Sequence, residues 1–148
     1  MAEKMLLETA EAEGAGLADA SFGAAIDNFC LHMLVVDADR RRYLAHVRRV
    51  LAPSALAYFH ENYTDRPIAG PVDTFDDFVS RGGFRPGQLD DRTVLRDGVP
   101  LKIRLARLPC RAQDEAGYRN DLERAGLAVQ QFVRGGAGHC VIHARRAR

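Results

Sequence analysis

Strand-like apolar segments alternate with amphipathic helical segments along most of this chain. The order is strand, helix, strand, helix, strand, helix and a terminal hairpin. Alternation of this kind predicts an α/β fold whose sheet has parallel strands and an antiparallel C-terminal hairpin. A chain of 148 residues is long enough to bury a core of its own. We therefore expect residues 1–148 to form a single domain.

The clearest part of the pattern lies between residues 24 and 63. The residues up to Asp27 are apolar and predict a strand, Ala24–Phe29, buried on both faces. DADRRRYLAHVRRVLAP predicts a helix that Asp37 caps and Pro53 ends. ALAYFHENY predicts a second buried strand over Leu56–His60. We expect the two strands to be adjacent and parallel, with the helix crossing right-handedly between them.

The rest of the chain supplies shorter elements. TFDDFVSRGG predicts a short helix capped by Thr74 or Asp73, and FRPGQLDDRTVLRDGVP, which Pro and Gly punctuate, predicts a loop. LKIRLARL alternates apolar and basic residues and predicts a half-exposed strand. EAGYRNDLERAGL predicts an amphipathic helix with Gly126 near its C-terminus. AVQQFVR and HCVIHARRAR, joined by GGAG, predict an antiparallel hairpin at one edge of the sheet.

The first helix carries one apolar stripe and many arginines. Positions at spacings of three and four predict its buried side, namely Tyr43, Leu44, Val47, Val50 and Leu51. The remaining positions include five arginines, Arg40, Arg41, Arg42, Arg48 and Arg49. They indicate either a phosphate-binding surface or a solvated face paired with nearby acids, and the second interpretation is favoured.

Composition limits the classes of function. A net charge of +1 gives no general reason to expect nucleic-acid or membrane binding. The apolar runs fall short of the roughly 20 residues that span a bilayer, and the acids in MAEKMLLETAEAEG are not typical of a signal peptide. The three cysteines, Cys30, Cys110 and Cys140, are odd in number and lack CxxC spacing, which favours a cytoplasmic location.

Polar residues follow both predicted strands at their carboxyl ends. Asp27 and Asn28 end the first, and His60, Glu61 and Asn62 end the second. Ligands of open α/β sheets bind beyond such ends, so these residues are predicted to line a crevice. GHCVIH could suggest a metal site, but strand geometry projects its cysteine and its two histidines to opposite faces, so no metal site is predicted.

The ordered set of motifs resembles the second half of class I S-adenosylmethionine-dependent methyltransferases. GLADASFGAAIDNFCLHMLVVDADRRRYLAHVRRVLAPSALAYF is similar to the family's "LPFadaSFDvV" turn, fourth strand, helix ending in "vLrPGG" and fifth strand. ERAGLAVQQF is similar to the "L..AGF.v" step into its last two strands. The resemblance runs from about residue 11 to the C-terminus and implies a partial Rossmann-like methyltransferase sheet.

The sequence also departs from the family pattern. The Gly-rich loop that approaches the cofactor's amino-acid moiety is absent, and so is the acid that holds the ribose hydroxyls. Gly23 stands where Asp usually follows SF, and Ser54-Ala55 replaces the Gly pair before the fifth strand. The resemblance therefore implies that the chain begins near the family's third strand, as a truncated form or a fragment, and lacks the cofactor-binding half.

The resemblance implies roles for individual residues. For the cofactor, S-adenosylmethionine, it implies contacts from Glu11, Asp27, Asn28 and Phe29. For catalysis it implies His32 and His60 as candidate general bases, since a pKa of about 6.5 suits proton removal near neutrality. For the methyl acceptor it implies Glu61, Asn62 and Tyr63. For each, the alternative is a structural role: a buried pair bonded to loop backbone, a structural histidine, or a polar strand end exposed to water.

The favoured function is methyl transfer from S-adenosylmethionine to a small molecule, with selectivity set by Thr64–Pro71 and the insert around Phe84–Val99. We expect the chain alone to bind the cofactor weakly or not at all. The alternative is a non-catalytic remnant that serves as a binding or dimerisation partner. An unpaired edge at Ala24–Ile26 would favour a two-fold dimer, unless residues 1–20 cover that edge through Met5–Leu7.

Overall fold

A parallel strand–helix–strand unit forms the centre of the structure, a computed structural model that describes residues 17–82 and 84–147. In chain order the elements are β1 Phe22–Asn28, α1 Asp37–Val50, β2 Leu51–Asn62, α2 Phe75–Gly82, β3 Leu89–Arg96, β4 Val99–Ala106, α3 Glu115–Arg124, β5 Leu127–Arg134 and β6 His139–Arg146. Short 3-10 helices cover Leu31–Met33 and Gly136–Gly138. The predicted α/β class is confirmed.

The main sheet has four strands in the order β1-β2-β6-β5. β1 and β2 are adjacent and parallel, as predicted, and their register sets Ala24 opposite Leu56 and Asn28 opposite His60. β5 and β6 form the predicted antiparallel hairpin, and β6 is the strand that pairs with β2. The sequence predicted the hairpin at an edge of the sheet without identifying which of its strands meets β2.

One face of this sheet is covered by α1 and α3. The core between the sheet and these two helices is formed by Leu31, Leu44, Leu51, Ala55, Ala57, Phe59, Tyr118, Leu122, Leu127, Cys140, Ile142 and Ala144. β1 lies at the edge of the sheet, and the side chain of Ile26 on its other face is 81% exposed. The prediction of a strand buried on both faces is therefore wrong for β1 in the described part of the chain.

The ends of α1 differ from the prediction. Val36 is the N-cap residue without a side-chain cap, and Asp37 is the first helical residue, whose carboxylate pairs with Arg111. β2 starts directly after Val50, so Pro53 lies inside the strand instead of ending the helix. Ser54 adopts a φ of +63°, a conformation that glycine accepts most easily, at one of the positions where the resembling family has its Gly pair.

The segment predicted as a loop after α2 contains a strand. β3 pairs with β4 in a separate antiparallel sheet of two strands, joined by the turn Asp97-Gly98. Both turn residues have positive φ, as a type I′ hairpin turn requires. The predicted cap of α2 is confirmed, since Thr74 Oγ1 accepts from Asp77 N at 3.1 Å. Gly126 lies after the C-terminus of α3, as predicted, with a φ of +78°.

The three cysteines are free, with Cys140 buried and the other two exposed. Among the described residues no helix is both long enough and apolar enough to cross a bilayer. The predicted cover through Met5–Leu7 lies outside the described residues.

Candidate functional site

The carboxyl ends of β1 and β2 lie side by side, because the two strands are parallel and in register up to the Asn28–His60 pair. Residues 29–36 connect β1 to α1 and pass directly over these ends, since Phe29 N donates to His60 O at 2.8 Å. The predicted site residues of β1, of the loop after it and of the end of β2 thereby lie close together. Glu11, predicted as a cofactor contact, lies outside the described residues.

Asp27 is buried, with 5% of its surface exposed, and both carboxylate oxygens are bonded. Oδ1 accepts from Cys30 N at 2.8 Å. Oδ2 accepts from Leu31 N at 3.1 Å and from the Tyr43 hydroxyl at 2.9 Å. The carboxylate therefore holds the turn after β1 against α1.

Glu61 is fully buried on the same face of the sheet. Its carboxylate accepts from Leu31 N at 3.3 Å and from His32 N at 3.0 Å. The ring Nδ1 of His32 lies 2.5 Å from Glu61 Oε2, and it donates because a carboxylate can only accept. His32, itself buried, is thus held by β2, and Glu61 faces the loop backbone instead of open solvent.

The two carboxyl groups share a low-dielectric environment. Burial, followed by the charge of Glu61, raises the pKa of Asp27 from 3.8 to about 7, although Cys30 N and the Tyr43 hydroxyl act in the opposite direction. Burial likewise raises the pKa of Tyr43, so its hydroxyl stays a donor. A carboxyl that titrates near neutrality in a strand-end crevice is typical of a functional site and also occurs in structural networks.

Four residues on the opposite side of the strand ends form what we call the strand-end cluster: Asn28, Phe29, His60 and His139. Asn28 Oδ1 lies 3.1 Å from His60 Nδ1. The Phe29 ring centroid is 4.3 Å from that of His60 and 5.3 Å from that of His139. The two imidazole centroids are 5.8 Å apart.

Two features of the strand-end cluster are unusual for purely structural residues. Phe29 has a φ of +65°, a region that bulky residues rarely occupy and that is often found at functional sites. Within the described residues, His139 Nδ1 is the buried side-chain nitrogen without a hydrogen-bond partner. A buried polar atom left unpaired is costly, so His139 has spare capacity for a ligand.

The sequence motif GHCVIH indicated no role for His139 other than metal binding, which was not predicted. β6 starts beside the end of β2, with His139 opposite Asn62, and this pairing places it in the strand-end cluster. The register between two distant strands leaves no local signal in the sequence. The described residues contain no group of three His, Cys, Asp or Glu side chains that could hold a metal ion.

The other predicted acceptor residues are the last residue of β2 and the residue that follows it. Asn62 Nδ2 donates to Cys110 Sγ at 3.2 Å, and its carbonyl accepts from the Tyr118 hydroxyl at 2.6 Å. Tyr63 donates through its hydroxyl to Asp65 at 2.7 Å, and the guanidinium of Arg134 stacks over its ring at 4.2 Å. Asn62 thus borders the crevice, and Tyr63 packs toward β5.

Two buried arginines that sequence reasoning did not assign to the site support the loop after β1. Arg111 donates its backbone N to His32 O at 2.7 Å and its side chain to Val35 O at 2.9 Å. Arg40, predicted on a solvated helix face, is only 2% exposed and donates to Leu31 O at 2.8 Å. That prediction is wrong for Arg40.

Solved structures of methyltransferases resemble this chain over most of its length. One is the 1,6-didemethyltoxoflavin-N1-methyltransferase of Burkholderia thailandensis, with bound 1,6-didemethyltoxoflavin and S-adenosylhomocysteine, at 22% identity and a TM-score of 0.58, covering 94% of this chain and 48% of that one. Another is an S-adenosylmethionine-dependent methyltransferase of Methanosarcina mazei, at 17% identity and a TM-score of 0.58, covering 90% and 63%.

Human N-acetylserotonin methyltransferase in complex with S-adenosylmethionine is a third, at 18% identity and a TM-score of 0.54, covering 86% of this chain and 30% of that one. This chain thus spans less than two thirds of the length of each of the three. No protein-family model and no curated protein sequence matches it. On the likeness in structure, the described part of this chain has a class I methyltransferase-like fold, corresponding to part of the length of these structural neighbours.

Proposed function

We propose that this chain supplies the methyl-acceptor side of an S-adenosylmethionine-dependent methyltransferase site for a small molecule. The observation that carries the proposal is the strand-end cluster, which groups an amide, an aromatic ring and two imidazoles at the carboxyl ends of parallel strands. Open α/β sheets bind their ligands at this edge. Two of the structural neighbours are methyltransferases with S-adenosylhomocysteine or S-adenosylmethionine bound, and this supports the same chemistry.

The residues present fit the reacting end of the cofactor. S-adenosylmethionine carries its methyl group on a cationic sulfonium, and aromatic rings such as Phe29 attract cations that approach their faces. The exposed Asn28 amide lies beside that ring. The sequence has neither the Gly-rich loop nor the ribose-binding acid, so the amino-acid and ribose parts lack their usual partners.

His60 is the base that this geometry favours. Its Nδ1 donates to the Asn28 carbonyl oxygen, so its Nε2 carries the lone pair. Nε2 would take the proton that an O–H or N–H acceptor loses when it is methylated, and the electron pair of the broken carbon–sulfur bond stays on sulfur. His32 is buried against Glu61, and we assign both of them to positioning the loop that carries Phe29.

Calorimetric titration with S-adenosylmethionine tests this proposal. Buried polar contacts of the missing kind are worth about 1–3 kcal/mol each, so losing several lowers affinity by orders of magnitude. We expect a dissociation constant in the millimolar range. A micromolar constant would contradict the assignment of this chain to the acceptor side alone, because it would mean that the residues present suffice for the whole cofactor.

A non-catalytic binding partner is the second candidate. It is favoured by the outer edge of β1, which has no partner strand among the described residues, and by the exposed Ile26 beside it. Unpaired edges recruit further strands. Complete absence of binding at millimolar S-adenosylmethionine would favour this candidate over the first.

A further inference from the structure

The two strands β3 and β4 form what we call the hairpin arm, residues 89–106. They are hydrogen-bonded to each other and to no other strand in the described part of the chain. A two-stranded hairpin alone is at best marginally stable in water. Nearly all of its residues are exposed, so the arm lacks the packing that would normally stabilise it.

The pairing register sorts the hairpin arm into two different faces, because residues directly opposite each other project to the same side. We call one of them the apolar face; it carries Val94, Val99, Leu101, Ile103 and Leu105, with Asp90, Arg92 and Arg96. The other face carries Asp91, Thr93, Leu95, Lys102 and Arg104, with Leu89, Pro100 and Ala106. On the apolar face, every position contributed by β4 is aliphatic, and Val99 is 65% exposed.

We propose that the apolar face is the contact between two copies of this chain. Two of its three charged residues, Asp90 and Arg96, are complementary across that contact. Asp90 lies in the row at the base of the arm, opposite Leu105, and Arg96 lies in the row at its tip, opposite Val99. An acid at one end and a base at the other make the face complementary to an inverted copy of itself.

The direction of the two-fold axis follows from this arrangement. An axis that runs across the strands inverts the arm and sets Asp90 against Arg96 of the second copy and Arg92 against Val94, while the aliphatic positions of β4 pack on their equivalents. An axis along the strands would instead set Asp90 on Leu105, Arg92 on Ile103 and Arg96 on Val99, leaving all three charges on apolar surface. Isologous contacts of the first kind close as dimers.

The two charged residues are available for this contact. Asp90 accepts from Gln88 Nε2 at 3.2 Å and lies 4.0 Å from Arg92, which leaves acceptor capacity on its carboxylate. Arg96 is exposed and has no ion pair among the described residues. The arm forms a sheet of its own, separate from the four-stranded sheet whose strand ends carry the candidate site.

Sedimentation velocity over a range of concentrations tests the proposal on the full chain. We expect a species of twice the 16.4 kDa chain mass to appear as concentration rises. Leu101→Asp should raise the dimer dissociation constant at least about tenfold, because this arrangement packs Leu101 on Ile103 of the second copy. Leu95→Asp is the matched control: it makes the same change on the other face of the arm and should shift the constant by less than about twofold. Circular dichroism checks that both variants fold.

Charge reversal tests the axis. Asp90→Arg and Arg96→Asp should each weaken the dimer, and the double variant should restore it. A chain that stays monomeric at every concentration would overturn the proposal, as would equal effects of Leu101→Asp and Leu95→Asp. A dimer broken by Ile26→Asp but not by Leu101→Asp would overturn it in favour of the β1 edge, and failure of the double variant to recover would overturn the two-fold arrangement.

Discussion

The buried carboxyl groups of Asp27 and Glu61 determine the conformation of the turn after β1. Between them they accept from three consecutive backbone amides, those of residues 30–32. The preceding residue, Phe29, has a positive φ, and Phe29 N donates to His60 O. The polar residues at the end of this apolar strand therefore have a structural role. Their hydrogen bonds to the turn hold Phe29 in a strained backbone conformation that it would not otherwise adopt.

The pKa of Asp27 predicts a specific pH dependence of stability. Its pKa is about 7 in the fold and 3.8 in its ordinary, unperturbed state, so between these values the folded chain binds a proton that the unfolded chain releases. The free energy of unfolding should therefore fall as pH rises through this window, by at most about 4 kcal/mol from this group. Urea denaturation at several pH values measures it.

Asp27→Asn should flatten this slope, since an amide does not titrate. Asp76→Asn, at an exposed position in the first turn of α2, is the control and should leave the slope unchanged. Equal slopes for the native chain and Asp27→Asn would show that the carboxyl does not titrate in this range. The slope is the readout because the substitution also alters the hydrogen bonds of the turn.

At the scale of elements, Arg40 joins α1, α3 and the loop after β1. Its Nε and Nη2 donate to Asp121 Oδ2 at 2.9 and 2.8 Å, and its Nη1 donates to Leu31 O and Leu34 O. The sequence pattern contained a signal for this burial: Arg40 lies four residues before Leu44 and therefore on the buried stripe. Arginines are usually exposed, but the position of Arg40 on the helix places its side chain on the buried side.

Arg40→Met should destabilise the fold by about 3–5 kcal/mol, because it leaves Asp121 without its cation, and the buried Leu31 carbonyl and the partly buried Leu34 carbonyl without this donor. Arg41→Met is the matched control, since Arg41 is the next residue on α1, exposed and without an ion pair among the described residues. It should change stability by no more than about 0.5 kcal/mol. Chemical denaturation compares the two; similar losses would contradict the role given to Arg40.

The strand that sequence reasoning missed, β3, has no buried face. β3 mixes Asp90, Asp91 and Arg92 with aliphatic residues, so its alternation is weak and Pro and Gly nearby favoured a loop. Asp97-Gly98 was the available signal, since this pair is typical of type I′ turns. β1, β2 and the terminal hairpin were predictable because apolar residues recur where helices cover the sheet.

At the scale of the whole molecule, the sheet is covered by helices on one side and, in the described residues, exposes Ile26 on the other. The candidate site lies at the rim where the two parallel strands end. The position of Asp27, Asn28, His60 and Glu61 at this rim followed from strand order alone. The position of His139 at this rim did not follow from strand order. It depends on the pairing of β6 with β2, in which Asn62 and His139 are 77 residues apart in the sequence.

The most direct test of the acceptor-side assignment is an NMR titration of the isotopically labelled chain with S-adenosylhomocysteine at millimolar concentration. We predict shift changes concentrated at Asn28, Phe29 and His60, and their loss in Asn28→Ala. Asn120→Ala, which removes an exposed amide from α3, should leave them intact. Shifts that are confined to other parts of the chain, or that survive Asn28→Ala unchanged, would contradict the assignment of the strand-end cluster as the methyl-transfer site.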